Sequence, residues 1–223
     1  MQDFSGVAHP LAQALAKRGY ASATPVQMAV LDPTYALADL LVSARTGSGK
    51  TVAFGLAAAP NLLESRDRLG KAGAPVALII TPTRELALQV MNELQWLYGE
   101  TGAKLASCVG GMNVRTERQT LQNGVHIVVG TPGRLRDHIS RRALDISNLK
   151  VAVLDEADEM LDLGFREDLE FILAAAPEER RTLMFSATVP KGIERLAQKF
   201  QRDAIRVQTD AEKQPHSDIE YRA

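Results

Sequence analysis

Short apolar runs recur along this chain, separated by longer stretches in which apolar residues return every three or four positions. The runs fall at residues 40–44, 76–81, 104–109, 126–130, 151–155, 182–186 and 205–207. They are rich in Val, Ile and Leu and mostly lack in/out alternation, the pattern of strands buried on both faces. The stretches at 51–64, 84–99, 114–123, 132–141, 166–175 and 191–200 read as helices. Strand–helix alternation predicts an α/β fold: a parallel sheet of about seven strands flanked by helices on both faces. Residues 10–18 and 25–35 read as two short helices ahead of the first strand, and 178–181 as a solvated turn. The charged, Gly-rich segment SRDRLGKAGAP at 65–75 reads as a mobile surface loop. From Thr209 to Ser217 the chain turns polar before ending DIEYRA, the pattern of a linker running into an element that is cut off. On that pattern the chain reads as a fragment.

Composition narrows the class. At 223 residues with 45% hydrophobic content, the chain can bury a substantial core. Lys and Arg number 26 against 27 Asp and Glu, so no global basic field drives nucleic-acid binding, although a local groove remains open. The single cysteine, Cys108, precludes an intramolecular disulfide. His9, His126, His138 and His216 show no ligand spacing to one another or to Cys108 and read as structural or surface residues. The opening MQDFSGVAHP lacks the layout of a signal peptide, and no apolar run is long enough to span a membrane. The expectation is a soluble, cytoplasmic protein.

Chemistry enters at Ala44-Arg45-Thr46-Gly47-Ser48-Gly49-Lys50-Thr51, which lies between a predicted strand and a predicted helix. In a phosphate-binding P-loop, glycines let backbone N–H groups point at phosphate oxygens, a lysine reaches the terminal phosphates and the next hydroxyl ligates Mg²⁺. Gly47, Gly49, Lys50 and Thr51 supply these parts; Ala44 stands where the general pattern has glycine. A Gly/Ser turn with an exposed lysine is the competing possibility. Four apolar residues, Val151 to Leu154, then deliver Asp155 and Glu156 to a strand tip, where open α/β sheets bind ligands. Asp155 would hold Mg²⁺ through water, and Glu156 would orient or deprotonate an attacking water.

Asp155-Glu156-Ala157-Asp158, together with ARTGSGKT, closely resembles the DEAD-box family of ATP-dependent RNA helicases. Further motifs follow in that family's order, from about Phe4 to Val207. The stretch 19–27, GYASATPVQ, resembles the adenine-reading Q motif, with Phe4 as the upstream aromatic. Pro82-Thr83-Arg84, Gly110-Gly111 and Thr131-Pro132-Gly133-Arg134 resemble RNA-backbone motifs, and Ser186-Ala187-Thr188 the motif linking hydrolysis to strand separation. Ala23 and Ala38 depart from the family's usual Pro and Gly without removing a functional atom.

The resemblance implies a single RecA-like P-loop domain at 1–208, including the Q motif at 1–36, followed at 209–223 by an interdomain linker and the start of a second domain. It implies ATP or ADP with Mg²⁺, bound by Phe4, Tyr20, Thr24, Gln27, Arg45, Thr46, Gly47, Ser48, Gly49, Lys50 and Thr51. Lys50, Asp155, Glu156, Asp158, Ser186 and Thr188 would carry catalysis. Pro82, Thr83, Arg84, Gly110, Gly111, Thr131, Pro132, Gly133 and Arg134 would meet an RNA backbone without sequence preference. The fragment alone would bind nucleotide, hydrolyse ATP poorly and unwind nothing.

The residues leave several points open. Gln27 has an amide able to pair with the adenine edge, or is an ordinary helix-start residue. Phe4 or Tyr20 would pack on the base. Arg84 and Arg134 either meet phosphates or pair with a nearby acid, Glu85 in the case of Arg84. Asp158 and Ser186 either link across the site or cap local turns. Trp96 and Tyr98 stack on bases or pack in the core. A different P-loop ATPase or DNA helicase, and a single-domain regulatory module, are the other classes.

Overall fold

The structure is a computed structural model that describes residues 4–209. Met1–Asp3, the 210–223 part of the expected linker and His216 lie outside the described residues. The elements run α1 (His9–Lys17), α2 (Pro25–Val30), β1 (Leu40–Ser43), α3 (Lys50–Leu63), β2 (Ala77–Ile80), α4 (Arg84–Leu97), β3 (Leu105–Cys108), α5 (Val114–Gln122) and β4 (Ile127–Gly130). They continue as α6 (Pro132–Ser140), β5 (Val151–Leu154), α7 (Ala157–Asp162), α8 (Arg166–Ala175), β6 (Arg181–Ser186), α9 (Lys191–Phe200) and β7 (Ile205–Gln208). The seven strands form one sheet in the order β3-β4-β2-β5-β6-β1-β7, and every pairing is parallel. The expected α/β architecture is therefore present.

The continuous apolar runs have a simple explanation. Successive strand side chains point to opposite faces, and both faces are covered. Leu40, Val42, Ile79, Val153, Leu183 and Phe185 pack into a core with α2, α3 and α4. Leu41, Leu78, Ile80, Ala152, Leu154 and Met184 pack into a second core with α6, α8 and α9. No described helix is long and apolar enough to cross a membrane.

Three local expectations need correction. Residues 25–35 are not one helix: α2 stops at Val30 and a 3-10 turn, Pro33–Tyr35, follows. Pro33 supplies no N–H and biases the residue before it away from helix. Helix α7 was not anticipated, because six residues are too few to display a helical period.

The segment at 178–181 is not a solvated turn throughout, since Arg180 and Arg181 are buried. The Arg181 guanidinium donates to the carbonyls of Ala38 (2.7 Å), Tyr35 (2.8 Å) and Ala57 (2.5 Å) and to Asn61 Oδ1 (3.3 Å). Burial lowers its pKa to about 10, partly offset by Asp39. Asp39 accepts from the N–H groups of Thr182 (2.7 Å) and Arg202 (2.8 Å). This charged cluster staples the segment before β1 to α3 and β6.

Segment 65–75 is a surface loop. It is tied down where Leu69 N–H meets Thr101 O (2.9 Å) and where Gly73 bridges Val125.

Candidate functional site

Strand β1 ends at Ser43, and the phosphate-loop residues lead directly into α3. Gly47 and Gly49 sit at φ +80° and +89°, a region other residues adopt only under strain. The loop thus needs both glycines. Ala44 is fully buried and donates its N–H to Ser186 O (3.1 Å), so this departure from the general pattern sits outside the turn itself. Arg45 accepts from Ser48 N–H through its carbonyl at 3.3 Å. Thr51 follows Lys50 in the first turn of α3.

Lys50 is 6% exposed, contrary to the picture of a turn with a solvated lysine. Its Nζ stands 4.0 Å from Asp155 Oδ1 and 4.0 Å from Glu156 Oε1. Among the described residues, Lys50 Nζ, Asp155 Oδ1 and Ser48 Oγ are all buried without a hydrogen-bond partner. Burial pushes Asp155 up to about 6, with Lys50 opposing the rise and Glu156 adding to it.

Buried polar groups without partners are costly. Here they cluster at the amino terminus of a helix, where backbone N–H groups and the helix dipole favour anions. A phosphate with its divalent cation would satisfy the ammonium, the carboxylate and the hydroxyl together. The donor set therefore fits a Mg²⁺–nucleotide.

Glu156 adopts φ +54°, unusual for a residue with a side chain, and so turns the chain from β5 into α7. Such strain costs on the order of 1–3 kcal/mol and concentrates at functional sites. Thr46 Oγ1 donates to Glu156 Oε1 at 3.5 Å, linking the phosphate loop to the acidic strand tip. Two residues on, Asp158 Oδ2 accepts from Thr188 N–H (2.9 Å) and Oγ1 (2.7 Å), and Asp158 N–H donates to Ser186 Oγ (3.2 Å). Burial raises the Asp158 pKa, but these bonds outweigh it and hold the carboxyl below its usual range. Of the two possibilities for Asp158 and Ser186, the structure shows the link across the site.

Thr24 caps α2 in a capping box: Gln27 N–H donates to Thr24 Oγ1, and Thr24 N–H donates to Gln27 Oε1 (2.9 Å). Gln27 is fully buried, and its Nε2 also donates to the Gly49 carbonyl at 3.3 Å. It therefore acts as a helix-start residue and reaches the phosphate loop as well. Phe4 meets Tyr20 edge-on (centroids 6.5 Å), Tyr20 packs on Trp96 (5.7 Å), and the Arg18 guanidinium lies 5.1 Å from the Trp96 ring. Tyr98 is buried and donates to Gly55 O (2.6 Å), so packing is its role.

The remaining candidates lie on the same sheet edge. Pro82, Thr83 and Arg84 follow β2, Gly110 and Gly111 follow β3, and Thr131 to Arg134 follow β4. These three strands are neighbours, and β2 pairs directly with β5, which carries the acidic tip. Thr83 Oγ1 caps α4 by accepting from Leu86 N–H (3.2 Å). Thr131 N–H donates to Cys108 O (3.1 Å), and Pro132 and Gly133 open α6. Arg84 leans across the glycine turn: its Nη2 lies 3.4 Å from Met112 Sδ, and a Cβ on Gly111 would meet its Nη1 at 2.8 Å. Arg134, by contrast, pairs with an acid, donating to Glu117 Oε2 at 3.0 Å.

Glu117 was not anticipated. It is buried, and it also accepts from Val109 N–H (3.0 Å) and bonds His138 Nε2 (2.6 Å). The absence of ligand spacing among the histidines and Cys108 needs correction, because the fold brings Cys108, Glu117 and His138 atoms within 4.8 Å. Burial first, and then Glu117, push the Cys108 thiol up to about 12, so it keeps its proton. His126 is structural: its Nδ1 accepts from Lys104 N–H (2.9 Å), and its Nε2 bonds Gly70 O (3.2 Å).

Comparison with known proteins agrees with the geometry. The DEAD/DEAH box helicase family model matches residues 24–196. The DEAD-box ATP-dependent RNA helicase CshA of Bacillus licheniformis is 38% identical over 219 residues, covering 98% of this chain and 44% of that protein. The ATP-dependent RNA helicase CshA of Limosilactobacillus reuteri is 40% identical over 206 residues, covering 92% of this chain and 40% of the relative. The chain thus spans less than half the length of these curated relatives. The crystal structure of a DEAD box protein from the hyperthermophile Methanococcus jannaschii superposes with a TM-score of 0.84 at 37% identity, over 94% of this chain and 56% of that one.

Proposed function

The chain belongs to the DEAD/DEAH box helicase family, and from that premise we propose that it is the ATP-binding, amino-terminal core domain of a cytoplasmic RNA helicase. In this reading residues 1–208 form the RecA-like unit and 209–223 lead toward a second one. The observation that carries the reading is the pair Lys50 Nζ, at the start of α3, and Asp155 Oδ1, at the tip of β5, buried, 4.0 Å apart and without hydrogen-bond partners among the described residues. Lys50, Ser48 and the loop N–H groups hold the nucleotide phosphates, while Thr51 and Asp155 hold Mg²⁺, which neutralises phosphate charge when bound. Glu156 orients or deprotonates the attacking water. Gln27 ties adenine recognition to the loop through Gly49, and Phe4 or Tyr20 packs on the base.

Single-stranded RNA lies along the ends of β2, β3 and β4, where hydroxyls, glycine turns and helix starts suit phosphate and ribose rather than base edges. Asp158, Ser186 and Thr188 couple the nucleotide half to movement of a second domain. An arginine finger supplied from outside the site is worth ~10³–10⁵ in rate in P-loop enzymes. Efficient hydrolysis and duplex unwinding therefore require the second domain. The test is a titration of fluorescent ADP with ATP, GTP and CTP as competitors. Competition by adenine nucleotides alone, lost in Gln27→Ala, supports the reading; equal competition by GTP overturns the adenine assignment.

A further inference from the structure

One buried carboxylate joins the two loops that face the RNA side of the sheet. Glu117, on α5, is 7% exposed. Its Oε1 accepts from Val109 N–H, the residue directly before the Gly110–Gly111 turn, at 3.0 Å. Its Oε2 takes Arg134 Nη1 at 3.0 Å and His138 Nε2 at 2.6 Å, both from α6. A carboxylate this buried is tolerated only when paired and fully hydrogen-bonded, and these three contacts supply that.

We propose that Glu117 is a positioning residue for the RNA backbone, fixing the Gly110–Gly111 turn and the start of α6 in one geometry through Val109, Arg134 and His138. The inference rests on the RNA reading above. Gly111 sits at φ +76°, a conformation that favours glycine, and Val109 directly before the turn is held by Glu117. Thr131 N–H is tied to Cys108 O at 3.1 Å, so the first turn of α6 is held from both sides. The Arg134 side chain is 14% exposed and spent on Glu117. Arg134 therefore supports the loops from behind rather than meeting a phosphate. Beside Cys108, the Glu117 carboxylate is already occupied by the Arg134 guanidinium.

The test uses the 223-residue chain as Glu117→Gln, Arg134→Gln and the double variant, with fluorescein-labelled decauridine as the probe. RNA affinity is measured over a series of potassium chloride concentrations, and ADP affinity in the same samples. Each single variant is expected to bind decauridine about tenfold more weakly, and the double variant no more weakly than either, as for one coupled unit. The slope of log affinity against log salt stays at the wild-type value, and Glu117→Gln keeps ADP affinity within about twofold. A phosphate-contacting Arg134 would instead lower the slope by about one.

Multiplying effects, a lower slope in Arg134→Gln, or wild-type RNA affinity in Glu117→Gln would each overturn the inference while leaving the RNA reading intact. Failure of the wild-type chain to bind decauridine at low salt would overturn the RNA reading and this inference with it. If Glu117→Gln does not fold, the salt slope of Arg134→Gln alone decides.

Discussion

Gln27 Nε2 donates to the Gly49 carbonyl at 3.3 Å, and a Cβ placed on Gly49 would lie 2.7 Å from that same nitrogen. The amino-terminal helix pair and the phosphate loop are thus interlocked through one amide, and any Cβ at residue 49 would force the Gln27 amide to shift.

Gly49→Ala therefore meets two penalties: the clash with Gln27 and the strain of φ +89°. The expected outcome is a loss of about 1–3 kcal/mol in urea unfolding and a fall in ADP affinity. In a Gln27→Ala background the 2.7 Å clash is relieved, leaving the backbone strain and the looser contact with Thr24 Oγ1 at 3.3 Å, so the stability loss should shrink. Strict additivity of the two substitutions would show that the interlock carries no energy.

Asp155 provides the pH test. Burial, less the opposing effect of Lys50, raises it from 3.8 to about 6 in the folded state. The native protein then binds more protons than the unfolded chain between about pH 4 and 6, so this residue makes stability fall as pH rises through that window. Asp155→Asn removes the titration. In metal-free buffer the variant should gain on wild type by at most about 3 kcal/mol between pH 4 and pH 7, at 1.36 kcal/mol per unit. Parallel stability curves for the two proteins over that range would sink the assignment.

Thr188 donates twice to Asp158, through N–H and Oγ1. Thr188→Val keeps the backbone donor and deletes the hydroxyl. The carboxyl pKa of Asp158, followed by carbon NMR, is expected to rise toward the ordinary range while ADP affinity holds. An unchanged Asp158 titration would mean that the hydroxyl bond is not formed in solution.

Arg181 offers a stability test remote from the ligands. Its guanidinium satisfies the carbonyls of Tyr35, Ala38 and Ala57. Arg181→Met removes that donor, although the Tyr35 carbonyl keeps the Ala38 N–H at 3.2 Å, and should cost on the order of 1–3 kcal/mol in urea unfolding, the range for a buried polar group left unsatisfied. Arg181→Lys, with a compact ammonium in place of the planar fork, should recover part of that loss. A Met variant as stable as wild type would show that water replaces the guanidinium freely.

The strands were legible because a sheet covered on both faces writes itself as uninterrupted apolar runs, as at Val151–Leu154. The phosphate loop was legible because its glycines, lysine and hydroxyl are contiguous. What sequence reading missed depends on distant segments meeting. Arg181 looked like part of a polar turn, since the carbonyls that hold it come from residues far upstream. Glu117, Arg134 and His138 gave no shared local pattern. One signal for Glu117 was present: Val114, Glu117 and Leu121 recur at helical spacing, which places the acid on the apolar face of α5. Helix α7 was too short to show a period at all.

The sheet order has a mechanical consequence. Five inter-strand steps separate β1, with its phosphate loop, from β3, with its glycine turn. At about 4.8 Å per step the two loops stand roughly 24 Å apart. A parallel sheet packed on both faces is stiff, so that span acts as a fixed ruler. Neither end can inform the other by stretching it. A probe pair attached beside the two loops should report one constant distance with or without ligand, and any body that senses both ends at once must be long enough to bridge them.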